Sequence, residues 1–162
     1  MDNFLIINLQ AVIGTIGIIL GFKWWIQPRV SKLPLQEALL PFVFLNVFRY
    51  LGLSFMAKEQ FYGGFPTDFL TTVGIWDLST AVVAIIAAIA LKNKWSFAIP
   101  LVWIFNIIGF TDLITAFPQF FGLKLYDHDL GFIWLMFVTY GLTTFLSHIY
   151  IFVRLIKALG NK

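Results

Sequence analysis

The chain has 162 residues, of which 60% are hydrophobic and only 12% are charged, and its formal net charge is +3. A soluble domain contains about 25% charged residues, so this composition leaves too little polar surface for a small globular protein in water and predicts a membrane protein whose solvent is the lipid bilayer. The absence of cysteine excludes disulfides and thiolate metal sites. Basic residues lie at the ends of apolar segments and not in one patch, so nucleic acid is not an expected partner.

At roughly 20 residues per transmembrane helix, the chain predicts an all-α bundle of five transmembrane helices in a single domain, residues 1–162. The first span ends in Lys23, Trp24 and Trp25, a pattern typical of the membrane interface. The longest loop covers residues 58–68, and the fourth span is expected to end before Pro118, because proline interrupts helices. The five spans are predicted at about residues 4–26, 37–57, 69–91, 96–117 and 130–156.

Lysine and arginine are distributed unevenly between the alternate loops. The loops on one side contain only Lys58 and Lys124. The other side contains eight basic residues, which are Lys23, Arg29, Lys32, Lys92, Lys94, Arg154, Lys157 and Lys162. The positive-inside rule therefore predicts a multi-pass protein of the cell inner (plasma) membrane, with its N-terminus outside and its C-terminus in the cytoplasm.

Three charged side chains fall inside the predicted spans, where an unpaired charge is strongly unfavourable. At about 1.5 Å per helical residue, Arg49 lies roughly 12 Å, Asp77 roughly 13 Å and Asp112 roughly 9 Å from the outer end of its span. We therefore expect the three side chains to meet in the outer half of the membrane. Two interpretations remain open, namely a structural cluster that locks three helices together and a polar pocket open to the outside.

The numbers of charges favour the pocket slightly. Two carboxylates share one guanidinium, so the cluster carries a negative charge unless a proton or a cation binds. Asn46 lies one turn from Arg49 on the same face, and Gln10 falls at a similar depth in the first span. We predict that Asn46, Gln10 and Tyr140 line the pocket.

The fifth span carries a stripe of polar residues that continues from Tyr140 towards the cytoplasmic side. One interpretation is a proton path through Thr144, Ser147 and His148. The alternative is ordinary hydrogen bonding between helices, or from hydroxyl groups to their own helix backbone.

Several stretches of sequence, taken together, resemble small uncharacterised bacterial membrane proteins with multiple spans. They are Leu39-Leu40-Pro41-Phe42, Phe48-Arg49-Tyr50-Leu51-Gly52, Trp76-Asp77-Leu78, Trp103-Ile104-Phe105-Asn106 and Asp112-Leu113. The resemblance covers most of the chain. It implies that the Arg, Asp and Asn positions belong to one recurring pattern, and it implies no activity.

The predicted function is that of a non-enzymatic binding or transport protein with an outward-facing polar pocket for a small molecule, an ion or a proton. Arg49 would hold an anionic group or an aspartate, while Asp77 and Asp112 would bind a cation or exchange a proton. At this length, a homo-oligomer or a partner membrane subunit is expected to complete a transport path.

Two alternatives come from other classes of protein. The first is a structural or accessory subunit of a larger membrane complex, and the second is a membrane enzyme acting on a lipid ligand, with Asp77 and Asp112 as acid and base. No cofactor and no metal site are predicted. No lysine lies within a span to form a Schiff base, and His128 and His148 are expected at opposite faces of the membrane.

Overall fold

The structure is a computed structural model that describes residues 2–57 and 66–160. This part of the chain contains five long helices and no strand, and each helix is long and apolar enough to cross a membrane. The predictions of an all-α fold and of five candidate spans are thereby confirmed for these residues. Most of the predicted loop, with Lys58, and also Lys162 lie outside the described residues. The helices are α1 (Asn3–Val30), α2 (Leu35–Met56), α3 (Thr67–Lys92), α4 (Ala98–Gly122) and α5 (Phe132–Gly160).

One end of the bundle, here called the lysine-rich end, contains the turns between α1 and α2 and between α3 and α4. Lys94 Nζ lies 3.0 Å from Glu37 Oε1 at this end. Arg154 Nη1 donates to the backbone carbonyl of Val30 over 3.3 Å, which ties α5 to the end of α1. The opposite end contains the start of α3 and the connection from α4 to α5.

The buried apolar side chains form two clusters, one towards each end of the bundle. The cluster towards the lysine-rich end includes Leu39, Val43, Ala84, Ala87, Leu91, Val102, Phe105 and Ile151. The cluster towards the opposite end includes Ile7, Phe69, Leu70, Phe120, Leu125 and Ile133. Between them lies a layer of buried polar side chains, which contains the candidate site.

Two helices extend beyond the ends of the predicted spans, both past a proline. The fourth span was expected to end before Pro118, but α4 continues through it to Gly122. The proline removes only one N–H donor, and membrane helices tolerate this when neighbouring groups compensate.

The first span was expected to end near residue 26, but α1 continues to Val30. A π-helical turn at Phe22–Ile26 precedes Pro28, and the N–H of Gln27 donates to the carbonyl of Phe22, five residues back. Because Pro28 cannot donate to the carbonyl four residues before it, the wider turn lets the helix pass the proline.

The second span is not a uniform α-helix, in contrast to the geometry expected from the sequence. It is α-helical at Leu35–Leu45 and a 3₁₀ helix at Asn46–Met56. A 3₁₀ helix has three residues per turn and a rise of about 2.0 Å, so positions three apart stand directly above one another. Asn46, Arg49 and Gly52 thus share one buried face. Because the rise per residue is larger, Arg49 lies farther from the end of the helix at Met56 than in an α-helix.

Two glycines allow α2 and α3 to pack closely. A Cβ atom at Gly52 would overlap the side chain of Asp77 on α3. A Cβ atom at Gly74 would come within 2.9 Å of the Met56 side chain on α2. Because these glycines have no side chain, the side chains of Asp77 and Met56 can pack directly against the backbone of the neighbouring helix.

We expect Gly52→Ala to destabilise the protein by about 1–3 kcal/mol, the usual cost of overpacking, because the new methyl group overlaps Asp77. Gly17→Ala is the matched control, since its new methyl group would have no described atom within 4 Å apart from its chain neighbours and the nearby backbone of its own helix. Thermal unfolding in detergent, followed by tryptophan fluorescence, compares the two variants. Equal stability of both would contradict the proposed close packing.

Candidate functional site: a buried ion triad beside an aromatic cavity

Arg49 is the centre of the polar layer and is only 2% exposed. Its Nε donates to Asp77 Oδ1 over 2.6 Å, and its Nη1 donates to the carbonyl of Gly109 over 3.0 Å. Nη2 lies 2.5 Å from Asp77 Oδ1 and also donates to Asp112 Oδ2. The guanidinium thus joins α2, α3 and α4, and the three charged side chains that were expected to meet do meet. We call Arg49, Asp77 and Asp112 the ion triad.

The ion triad contains one positive and two negative groups when all three are ionised. The side chains of Asp77 and Asp112 are 14% and 4% exposed, so water screens their charges poorly. Taking ions out of water is expensive, and pairing offsets this cost only when the geometry satisfies the charged groups. The arginine is well satisfied, because each of its three nitrogens has an acceptor. When both carboxylates are ionised, one negative charge remains uncompensated.

A cavity of about 80 Å³ adjoins the ion triad on the side away from the lysine-rich end. An apolar cavity of about 150 Å³ can bind benzene, so this cavity suits a smaller guest. Its polar lining consists of the ion triad with Tyr140 and Thr144. Aromatic side chains form much of its wall, namely Phe55, Phe69, Phe117, Phe120 and Phe137.

Tyr140 and Thr144 reach the cavity from α5, but their hydroxyl hydrogens point elsewhere. The Tyr140 hydroxyl donates to the carbonyl of Leu45 over 2.9 Å, at the point where α2 changes to a 3₁₀ helix. Thr144 Oγ1 lies 3.0 Å from the backbone carbonyls of Tyr140 and Gly141 in its own helix. Both hydroxyl oxygens therefore keep lone pairs for a guest and have no hydrogen left to donate.

Two residues predicted to line the pocket lie elsewhere. Gln10 is exposed on α1, where its Oε1 accepts from Trp134 Nε1 over 2.6 Å. Gln10 was expected at a depth similar to that of the ion triad, but it does not contact the triad because α1 lies at the periphery of the bundle. Asn46 is fully buried one turn from Arg49, yet its Nδ2 donates to the Phe42 carbonyl over 2.8 Å and to Ser147 Oγ over 2.9 Å.

A second polar contact, between Asn106 on α4 and His148 on α5, lies beside the ion triad. Asn106 Nδ2 donates to the backbone carbonyl of His148 over 3.2 Å, and its Oδ1 lies 2.7 Å from His148 Nδ1. Because the backbone carbonyl can only accept, the amide orientation is fixed and Nδ1 must carry a hydrogen. In the neutral ring, Nε2 is then an acceptor. It is buried without a partner among the described residues, as is Asn46 Oδ1.

Gly109 connects this contact to the ion triad. Its carbonyl accepts from Arg49, and a Cβ atom on it would lie 2.7 Å from His148 Nε2. The lack of a side chain at this position therefore lets the histidine ring pack against α4. Sequence reasoning did not identify Gly52 or Gly109, although a buried glycine near an intramembrane charge is a readable sign of close packing.

The polar stripe of α5 contains no continuous hydrogen-bonded path between described side chains from the ion triad to His148. Thr144 donates to its own helix, and Ser147 Oγ donates to the Thr144 carbonyl over 2.7 Å. Ser147 also accepts from Asn46 on α2. These contacts match the alternative interpretation, in which the stripe forms bonds within and between helices.

A family model described as a domain of unknown function, DUF8737, matches residues 6–156. The chain belongs to the DUF8737 family. No curated protein and no solved structure matches the chain. The matched range of this DUF8737 member includes the ion triad, the residues of the cavity and the Asn106–His148 contact.

We expect Arg49→Met to lower the free energy of unfolding by about 3–5 kcal/mol, because it leaves two carboxylates buried without their partner. Replacing all three charges in R49M/D77L/D112L should restore most of this loss, since no buried charge remains. Detergent-based unfolding, followed by tryptophan fluorescence, measures both variants. A triple variant no more stable than the single variant would contradict the electrostatic explanation.

The Asn106–His148 geometry gives a separate spectroscopic prediction. The ¹⁵N chemical shifts of His148 should show a protonated Nδ1 and an unprotonated Nε2 in the neutral ring. Asn106→Leu should abolish this preference, because it removes the acceptor that faces Nδ1. An Nε2–H tautomer in the unmodified protein would show that the contact is formed differently.

Proposed function

We propose that this protein is a non-enzymatic membrane protein that binds or transports a positively charged species, a proton or a small cation, at the ion triad. The observation that carries the proposal is the pairing of one guanidinium with two carboxylates beside a cavity. A net negative charge in a low-dielectric environment is strongly unfavourable. A bound proton or cation would neutralise it.

An anionic ligand is less compatible with this site. Every nitrogen of Arg49 already has an acceptor within the protein, and Asp77 and Asp112 would repel an approaching anion. We therefore propose that Arg49 orients the two aspartates and does not receive the ligand itself. The aspartates would supply the attraction.

The distribution of basic residues supports an orientation for this site. Eight of the eleven Lys and Arg residues in the sequence belong to the side that includes the lysine-rich end, which the positive-inside rule assigns to the cytoplasm. We propose that the N-terminus lies outside, that the cavity faces outwards, and that the membrane is the plasma membrane of a bacterial cell. The resemblance to bacterial membrane proteins supports the last assignment.

The small size of the bundle supports a role for a second chain. Of the five candidate spans in the described residues, α1 has the smallest share of its residues buried within the chain. We propose that a homo-oligomer or a partner membrane subunit packs on this helix and completes the transport path.

An architectural role is the second candidate, and the saturation of Arg49 favours it. A guanidinium that satisfies acceptors on α3 and α4 holds three helices in one arrangement. In this case the protein would be a structural or accessory subunit, and its stability would not depend on any cation.

The test is a panel of conditions at constant ionic strength: lithium, sodium, potassium or ammonium chloride, and lowered pH. We expect the unfolding temperature of the purified protein to rise in at least one of them. A ligand at ten times its Kd stabilises the folded state by about 1.4 kcal/mol. The ligand-induced rise should disappear in Asp77→Asn and Asp112→Asn.

Asp68→Asn is the control, because Asp68 is an exposed residue at the start of α3. It should retain the full response. If no condition in the panel stabilises the unmodified protein, or if all three variants respond alike, the binding proposal is wrong and the architectural role is favoured.

A further inference from the structure

We infer that the preferred ligand is a small organic ammonium ion, that is, a protonated primary amine with a short alkyl group. This inference rests on the proposed cation site and specifies its chemistry. It depends on two further properties of the cavity, which are the direction of its hydrogen bonds and the nature of its wall.

The polar lining of the cavity offers acceptors almost exclusively. The nitrogens of Arg49 donate to Asp77, Gly109 and Asp112. The hydroxyls of Tyr140 and Thr144 donate to backbone carbonyls. The carboxylates can only accept when they are ionised. A guest that fits this lining must therefore donate hydrogen bonds, and a primary ammonium has three N–H groups to donate.

The wall of the cavity distinguishes an organic ammonium from a hydrated metal ion. Phe120 and Phe137 stack with their ring centroids 4.1 Å apart, and Phe117 packs edge-on against Phe137 at 5.2 Å. These rings provide no oxygen atoms to replace the water around a metal ion. They do provide apolar contact for an alkyl group, and aromatic faces attract ammonium ions.

The size of the cavity limits the alkyl group. A volume of about 80 Å³ is roughly half that of a cavity known to hold benzene, so a short chain such as ethyl fits better than a ring or a quaternary ammonium. The amine can be free in solution, or it can be the primary amine of an ethanolamine lipid headgroup. Both sources present the same group to Asp77 and Asp112.

The test is isothermal titration of the purified full-length protein with ethylammonium chloride. Three further compounds are titrated for comparison. Sodium chloride supplies a cation without N–H groups, ethanol is neutral, and sodium acetate supplies an organic anion. We expect the Kd for ethylammonium to be at least tenfold lower than that for sodium, with no binding of ethanol or acetate. Asp112→Asn should weaken ethylammonium binding at least tenfold and Phe137→Leu severalfold, while Asp68→Asn should leave it unchanged.

Titrations in phosphatidylethanolamine and phosphatidylcholine vesicles separate the two sources of the amine. Weaker ethylammonium binding in phosphatidylethanolamine indicates that the headgroup competes for the site, and equal binding indicates a free amine. If sodium or a proton binds in an aspartate-dependent manner while ethylammonium binds no better than sodium, the ammonium inference is wrong and the cation proposal stands. If none of these probes binds and no member of the cation panel stabilises the protein, both proposals are wrong.

Discussion

The unfavourable free energy of a charge in hydrocarbon is the constraint on which this structure depends. Arg49 lies within α2, a helix long and apolar enough to cross a membrane, where a charge must find partners inside the bundle. It finds them on two other helices, in Asp77, Asp112 and the carbonyl of Gly109. The two apolar clusters lie on either side of this contact, so the polar layer sets how α2, α3 and α4 align along the bundle axis.

The unusual helix geometry is consistent with this constraint. A 3₁₀ helix of eleven residues is far longer than the three or four residues that are common, and its hydrogen bonds are poorer than those of an α-helix. The contacts of its straight buried face, formed by Asn46, Arg49 and Gly52, offset these poorer hydrogen bonds. This face contacts Ser147 and Asp77 on neighbouring helices. Such segments often mark functional hinges, and this one carries the arginine of the candidate site.

The sequence predicted those features that follow from the solvent. Composition predicted the five apolar helices, and the penalty for unpaired charges predicted the meeting of Arg49 with Asp77 and Asp112.

Other features could not be predicted in this way. Depth along a helix does not specify lateral position in the bundle, so Gln10 was assigned to the pocket although α1 is peripheral. The 3₁₀ segment was missed because α-helical geometry was assumed, although the three-residue spacing of Asn46, Arg49 and Gly52 was visible in the sequence. The hydrogen-bond directions at Tyr140 and Thr144, which make the cavity rich in acceptors, depend on packing and are not encoded in any local pattern.

The most direct test of the central claim is the charge state of the two aspartates, measured by infrared spectroscopy of the protein in lipid. If the excess negative charge is neutralised by a proton in the absence of other cations, the spectrum should contain the carbonyl band of one protonated carboxyl group, which D77N/D112N lacks. The band should disappear when a cation occupies the site. Two carboxylates that remain ionised in the cation-free protein, or a protonated band that responds neither to pH nor to any cation, would contradict the account.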